Sequence, residues 1–417
     1  MMGSAGQPIR VAIVGGGIAG LALAAGLSKH PNIDWHVYES VPEHKDVGAG
    51  LALHMNAIKA MGLIGDEVKQ TYFDRAVTIG EEDEEMVTEV ILAQGPHTGE
   101  CVAELGRAKG RKTIARAELL RGLMELIPRE RVKFGKRVKS IEEGDGTVTV
   151  EFEDGEKVEA DCLIGADGMR SPTRSYILGP DHPATAPKNH EGWHIYRRMM
   201  PMEKAVARGI NPKWTKYVPI FLGPKGHVNS ITLDKGKRIN VGVAIRGAKF
   251  SKTGEAPPLN PEDYSDYSNE AKLFVSMVAE DVNMQWTAAD HDHAPVYYRG
   301  NVCMIGDAAH TMYGFAGNGA AQALEDCAVL AHLFSKMTDR SQIEAVFKAY
   351  DGARRPRSQA VVDQTRKYGR VYAYAEPELK DNVEGMRDFF KHGAAFTNNA
   401  DLVKQNEDAM KLFESYI

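Results

Sequence analysis

The chain has 417 residues, 43% of them hydrophobic and 26% charged, and a formal net charge of −6. That length exceeds what one hydrophobic core usually serves, so two domains, or one with a large insertion, are expected. The acidic balance leaves no basic footprint for nucleic acid, and no apolar run approaches the roughly eighteen residues of a membrane helix.

The polar residues 1–8 fit neither a signal peptide nor a myristoylation pattern, which makes the expected location cytoplasmic. Cys101, Cys162, Cys303 and Cys327 are scattered and form no C-x-x-C pair, so reduced thiols are expected and no metal site.

Residues 9–14 are an apolar strand pattern running into Gly15, Gly17 and Gly20 at G-x-G-x-x-G spacing, followed by the helical run 21–27. The first glycine permits a tight turn, the second lets the backbone approach a pyrophosphate, and the third lets helix and strand pack closely. The free N–H groups at the helix start then face the anion. Glu39 closes a second strand, residues 33–38, about twenty residues beyond the last glycine, where an acid can accept ribose hydroxyls. The rival reading is a tight βα turn that binds nothing.

Residues 46–57, with Gly48 and Gly50, form a small-residue turn suited to a backbone pressed on a ligand, and open into a helix. Residues 72–79 and 86–92 read as two strands of a second sheet, joined by an acidic, solvated tip at 81–85. A helix follows to about residue 127. Arg116 stands at its start, where the helix dipole disfavours a cation unless an anion is near.

Residues 132–161 read as a β-meander, with hairpin signals at Gly144-Asp145-Gly146 and Asp154-Gly155. Residues 162–165 form an apolar strand ending near Asp167 and Gly168. Residues 180–294 change character, with strand patterns at 194–197, 217–222, 228–233 and 239–245, a loop at 251–268 and a helix from 270. A third strand, turn and helix unit follows at Gly306-Asp307-Ala308-Ala309-His310, with its helix opening at Ala320, and the remainder is helical.

Gly15-x-Gly17-x-x-Gly20 with Glu39, Asp167-Gly168, and Gly306-Asp307, in this order along nearly the whole chain, resemble the single-component FAD-dependent aromatic hydroxylases, more narrowly the salicylate hydroxylase type. The resemblance implies an α/β fold: a Rossmann-like FAD-binding domain, an inserted and mainly antiparallel substrate domain, and a helical C-terminus. The expected partition is 1–70, 100–180 and 295–360 for FAD, 71–99 and 181–294 for substrate, and 361–417 for the C-terminal helices.

It further implies tightly bound, non-covalent FAD held by Gly15, Gly17, Gly20, Glu39, Gly50, Arg116, Val138, Asp167, Gly168, Gly306, Asp307 and Ala320. A single dinucleotide fingerprint means that NADH or NADPH binds transiently. The resemblance implies that reduced flavin then forms a C4a-hydroperoxide with O2, which hydroxylates an aromatic acid or phenol, with or without decarboxylation. A monomer or homodimer is expected.

A phenol's pKa of roughly 10 must fall by about three units for activation, worth about 4 kcal/mol, which a cation or base can supply. Arg197, in a Tyr196-Arg197 pair matching this branch, is the first candidate. His194, Tyr217 and Tyr313 are further candidates, and His310 is read as structural. Where the branch reads Pro-His beside the flavin and substrate, this chain has Gly314-Phe315. That difference keeps open hydroxylation or epoxidation of a larger polyketide, alkaloid or meroterpenoid. A non-catalytic nucleotide sensor is the remaining alternative.

Overall fold

The computed structural model describes residues 8–44, 50–78, 85–109, 112–234 and 236–417. A six-stranded sheet runs in the order Tyr298–Arg299, Val302–Met304, Cys162–Gly165, Ile9–Val14, Ile33–Glu39, Val132–Phe134. Its last five strands are parallel, so it is buried on both faces and its strands read as continuous apolar runs. The helix Ile18–Leu27 is buried almost all round. Gly26 lets it lie against the Gly319–Phe334 helix, since a Cβ there would come within 3.0 Å of Ala331.

The meander Val138–Gly144, Thr147–Phe152 and Lys157–Ala160 forms a separate antiparallel sheet. A seven-stranded sheet runs Met284–Thr287, His194–Pro201, Arg238–Ile245, Gly226–Leu233, Val218–Gly223, Glu85–Leu92, Cys101–Lys109. All its pairings are antiparallel except that of Val218–Gly223 with Glu85–Leu92.

One face of this sheet, with Tyr196, Phe221 and Val243, packs on the Asn269–Glu280 helix. The other, with Ile195, Ile220 and Leu222, packs on the Gly314–Ala316 turn and the long helix Ile343–Tyr372. The helices Val383–Asn398 and Leu402–Glu414 complete the C-terminal region.

Two expectations are corrected. Residues 72–75 are not strand but the end of the Asp66–Arg75 helix, and only Val77–Thr78 is extended, paired to Lys112–Ala115. Gly65 followed by Asp66 and Glu67 was the helix-start signal; an aromatic and β-branched run masked it. The partner of Glu85–Leu92 is Cys101–Lys109, which therefore belongs to the second sheet and not to the FAD-binding part. The acidic tip at 81–84 lies outside the described residues, as do residues 45–49 of the small-residue turn.

Candidate active site

The C-terminal ends of the parallel strands carry the first cleft, where such sheets expose free backbone. Gly15 adopts φ +105, and a Cβ on it would stand 2.1 Å from the carbonyl oxygen of Ala166. A Cβ on Gly20 would stand 1.9 Å from the Gly15 oxygen, so both positions need glycine. The helix Ile18–Leu27 starts at Gly17 with no side-chain cap and no acid in its first turn. Its leading N–H groups are left for an anion. Glu39 sits opposite and accepts the Gly16 N–H at 2.5 Å.

Arg116 begins the Arg116–Glu125 helix, and its guanidinium is 3.8 Å from where a Gly17 Cβ would lie. It is exposed and, among the described residues, has no carboxylate at ion-pair distance. Asp307 is solvent-accessible yet enclosed by protein, as a carboxylate lining a deep cleft must be. Burial raises its pKa, while His310 and Arg116 pull it back. Gly17, Arg116 and Asp307, from three separate turns, thus converge on one space.

The remaining predicted cofactor contacts are placed as follows. Asp167 accepts from Ser171 Oγ at 2.5 Å, Thr173 N at 2.9 Å and Thr173 Oγ1 at 2.7 Å, so its carboxylate pins the turn that presses Ala166 on Gly15. Gly168, at φ +77, has open space where a Cβ would be. Gly50 pairs with Ala115, next to Arg116, and its missing side chain makes room for Leu233, 2.5 Å from where a Cβ would stand. Val138 lies two residues past Lys136, whose N–H donates to the Glu39 carbonyl at 2.8 Å. Ala320 is in the first turn of Gly319–Phe334, and Gly306 (φ +58) fits between Ala19 and Ala323.

Beneath the Asp307 turn lies a buried ionic network that the sequence reading missed. Asp326 Oδ2 accepts the Gly306 N–H at 2.9 Å and bonds His310 Nε2 at 2.6 Å, while its Oδ1 accepts from Arg354 Nε at 2.8 Å. Glu325 takes Arg354 at 2.7 Å and Arg357 at 2.7 Å. Burial would raise the pKa of both acids, but their cationic partners hold them below the usual carboxylate range. His310 ties the Asp307 turn to the helix behind it.

The second polar cluster lies on the inner face of the seven-stranded sheet. Arg197 stands opposite Gly242, where a Cβ would be 3.0 Å from its Cζ. One bond, Nη1 to Asn240 Oδ1 at 3.3 Å, is its only polar contact among the described residues, and its Nε has none. Burial lowers its pKa to about 10. Asn240 and His227 flank it on the same face, and Asn240 Nδ2 and His227 Nδ1 are buried without a partner. Burial, then the Arg197 charge, pushes His227 down to about 3, so its imidazole is neutral. Phe315 meets the His227 ring edge-on at 5.4 Å and fills the space over Gly369.

Of the other predicted substrate residues, His194 and Tyr217 lie away from Arg197, and Tyr313 borders its cluster through Phe315. His194 is on the opposite face, between Thr287 and Gln285 at 3.3 Å each. Tyr217 packs with Val218, Ile231 and Leu233 at the far end of the sheet. Tyr313 stacks on Phe315 at 5.3 Å, and its hydroxyl lies toward Asp290 and the His190 backbone. The signal for Asn240 and His227 was present: a polar residue at an inward position of an otherwise apolar strand.

Residues 8–365 match the family model described as FAD binding domain. The chain belongs to that family. It is 34% identical over 98% of its length to 6-methylsalicylate 1-monooxygenase atA of Aspergillus terreus, covering 93% of that protein. Identity to a salicylate hydroxylase of Pseudomonas putida is 30%, over 91% of this chain and 88% of that one. The structure titled salicylate hydroxylase substrate complex superposes with a TM-score of 0.82 at 26% identity, covering 97% of this chain and 98% of that one.

The enzyme is therefore an FAD-dependent monooxygenase of the salicylate hydroxylase type, and NAD(P)H is its reductant. The cleft fits FAD on its own geometry. The Gly15 to Gly20 turn and Arg116 suit the pyrophosphate, Glu39 the adenosine ribose, and the accessible Asp307 carboxylate the ribityl hydroxyls. Among the described residues no helix is long and apolar enough to cross a membrane, and no group of side chains could hold a metal ion.

Proposed function

We propose that the enzyme hydroxylates the ring of a small aromatic acid or phenol whose anionic group binds Arg197. The carrying observation is the half-buried Arg197, with no carboxylate partner among the described residues and its Nε buried without a hydrogen bond, beside two unpartnered atoms of Asn240 and His227. Buried polar atoms are nearly always satisfied, and a cation in that setting calls for an anion. The 6-methylsalicylate and salicylate named for the two relatives are acids of this kind.

Bound FAD supplies electron transfer from NAD(P)H to O2 and of one oxygen atom to the ring. The protein's part is placement and electrostatics. A unit charge about 4 Å from the substrate oxygen, at an effective dielectric of about 20, is worth about 4 kcal/mol. That is the size of the cost of lowering a phenol by about three units, so the Arg197 charge works in the direction of the phenolate. Neutral His227 offers one donor and one acceptor to a neighbouring hydroxyl. Ile220, Leu222, Tyr313 and Phe315 form an apolar surround that keeps water from the reacting centre. The same reading has the enzyme acting in the cytoplasm as a monomer or homodimer.

Substrate-stimulated NADH oxidation with a panel of phenolic acids tests this. Arg197→Ala is expected to lose stimulation while retaining FAD; stimulation equal to wild type removes Arg197 from the site.

A further inference from the structure

Trp35, Trp193 and Trp214 are buried, whereas Trp286 is 41% exposed. It lies on Met284–Thr287, the outermost strand of the seven-stranded sheet, directly opposite Ile195. Ile195 and Arg197 share a face, so the indole stands on the Arg197 side. The Arg197 guanidinium carbon is 5.9 Å from the indole centroid, with Asn240 on its other flank.

We infer that Trp286 is a specificity-determining wall of the substrate site, stacking on the ring of the aromatic acid whose anionic group Arg197 holds. This rests on the proposed function above. A carboxylate bonded to the guanidinium brings its ring within roughly the 4.5–7 Å at which aromatic pairs interact. The weak cation–π contact seen between Arg197 and Trp286 is then replaced by a ring lying across both. Indole is amphipathic and rigid, which is why exposed tryptophan beside an unpaired cation suits ligand capture. The stacked ring also closes the edge-strand side of the site to water.

Binding of benzoate and of 2-hydroxybenzoate to the FAD-loaded enzyme is followed by the flavin absorbance change, and Trp286 by acrylamide quenching, since it is the exposed indole. Either acid is expected to shield wild-type Trp286 from acrylamide. Trp286→Ala is expected to weaken binding about three- to tenfold, Trp286→Phe to restore most of it, and Trp286→Leu, apolar but without a π face, to restore little. Unchanged affinity in Trp286→Ala, unprotected Trp286 in the bound state, or leucine equal to phenylalanine overturns the inference alone. Failure of wild type to bind any aromatic acid overturns the proposed substrate class with it.

Discussion

Arg354→Met isolates what the buried network contributes to the flavin cleft. Arg354 is fully buried and donates to Asp326 at 2.8 Å, Glu325 at 2.7 Å, Gln405 at 2.9 Å and the Gln322 side chain at 2.8 Å. Burial alone would lower its pKa, yet the two carboxylates raise it above the usual arginine value. Removing one partner of a buried ion pair leaves an uncompensated charge and costs about 3–5 kcal/mol. Methionine fills the aliphatic volume, so the loss reports charge rather than a cavity.

The pH dependence carries a sign. In wild type, Glu325 and Asp326 have lowered folded pKa values, so they stabilise above the unfolded pKa, and that contribution fades as pH falls through the folded one. Without Arg354 the burial effect is less opposed and their folded pKa values rise, so protonation now favours the folded state. The deficit of Arg354→Met relative to wild type, read from urea midpoints, should be largest above about pH 7 and shrink toward about pH 5. FAD content should fall as well, because Asp326 holds the Gly306 N–H and His310 on either side of Asp307. An unchanged midpoint at pH 8, or a deficit that grows on acidification, would refute the network's role.

Gly20→Ala places a Cβ 1.9 Å from the Gly15 oxygen, so the helix must withdraw from the turn; near-complete loss of bound FAD is expected, measured by flavin absorbance per polypeptide. His227, with its pKa pushed down to about 3, should stay neutral down to about pH 5 by the carbon-bound proton shifts of its imidazole. Its folded value lies below the unfolded one, so it costs stability as pH falls below about 6.5, and His227→Gln should flatten that part of the urea-midpoint profile.

The cofactor cleft was legible because its chemistry is backbone chemistry. Gly15, Gly17 and Gly20 are needed for turn geometry that local spacing encodes, and Glu39 and Asp307 fall at strand ends that apolar runs mark. The cluster around Arg197 was half legible. Arg197 was named, but nothing local says that His194, three residues earlier, is on the other side of the sheet from it; that follows from the period of two once the strand is placed. His227 and Asn240 come from two further strands, and only the register of Arg197 with Gly242 and of Gly242 with Asn229 puts them around one guanidinium.

What the sequence determined by itself is the nucleotide fold and the class of cofactor, since strand, glycine turn and helix are set by residues close in the chain. What tertiary structure decided is the state of the charges. Glu325, Asp326, Arg354 and Arg357 lie on two helices, and become a network at the root of the Asp307 turn only when those helices pack. A charge's worth depends on its burial and on its partner, and neither is a local property of the chain.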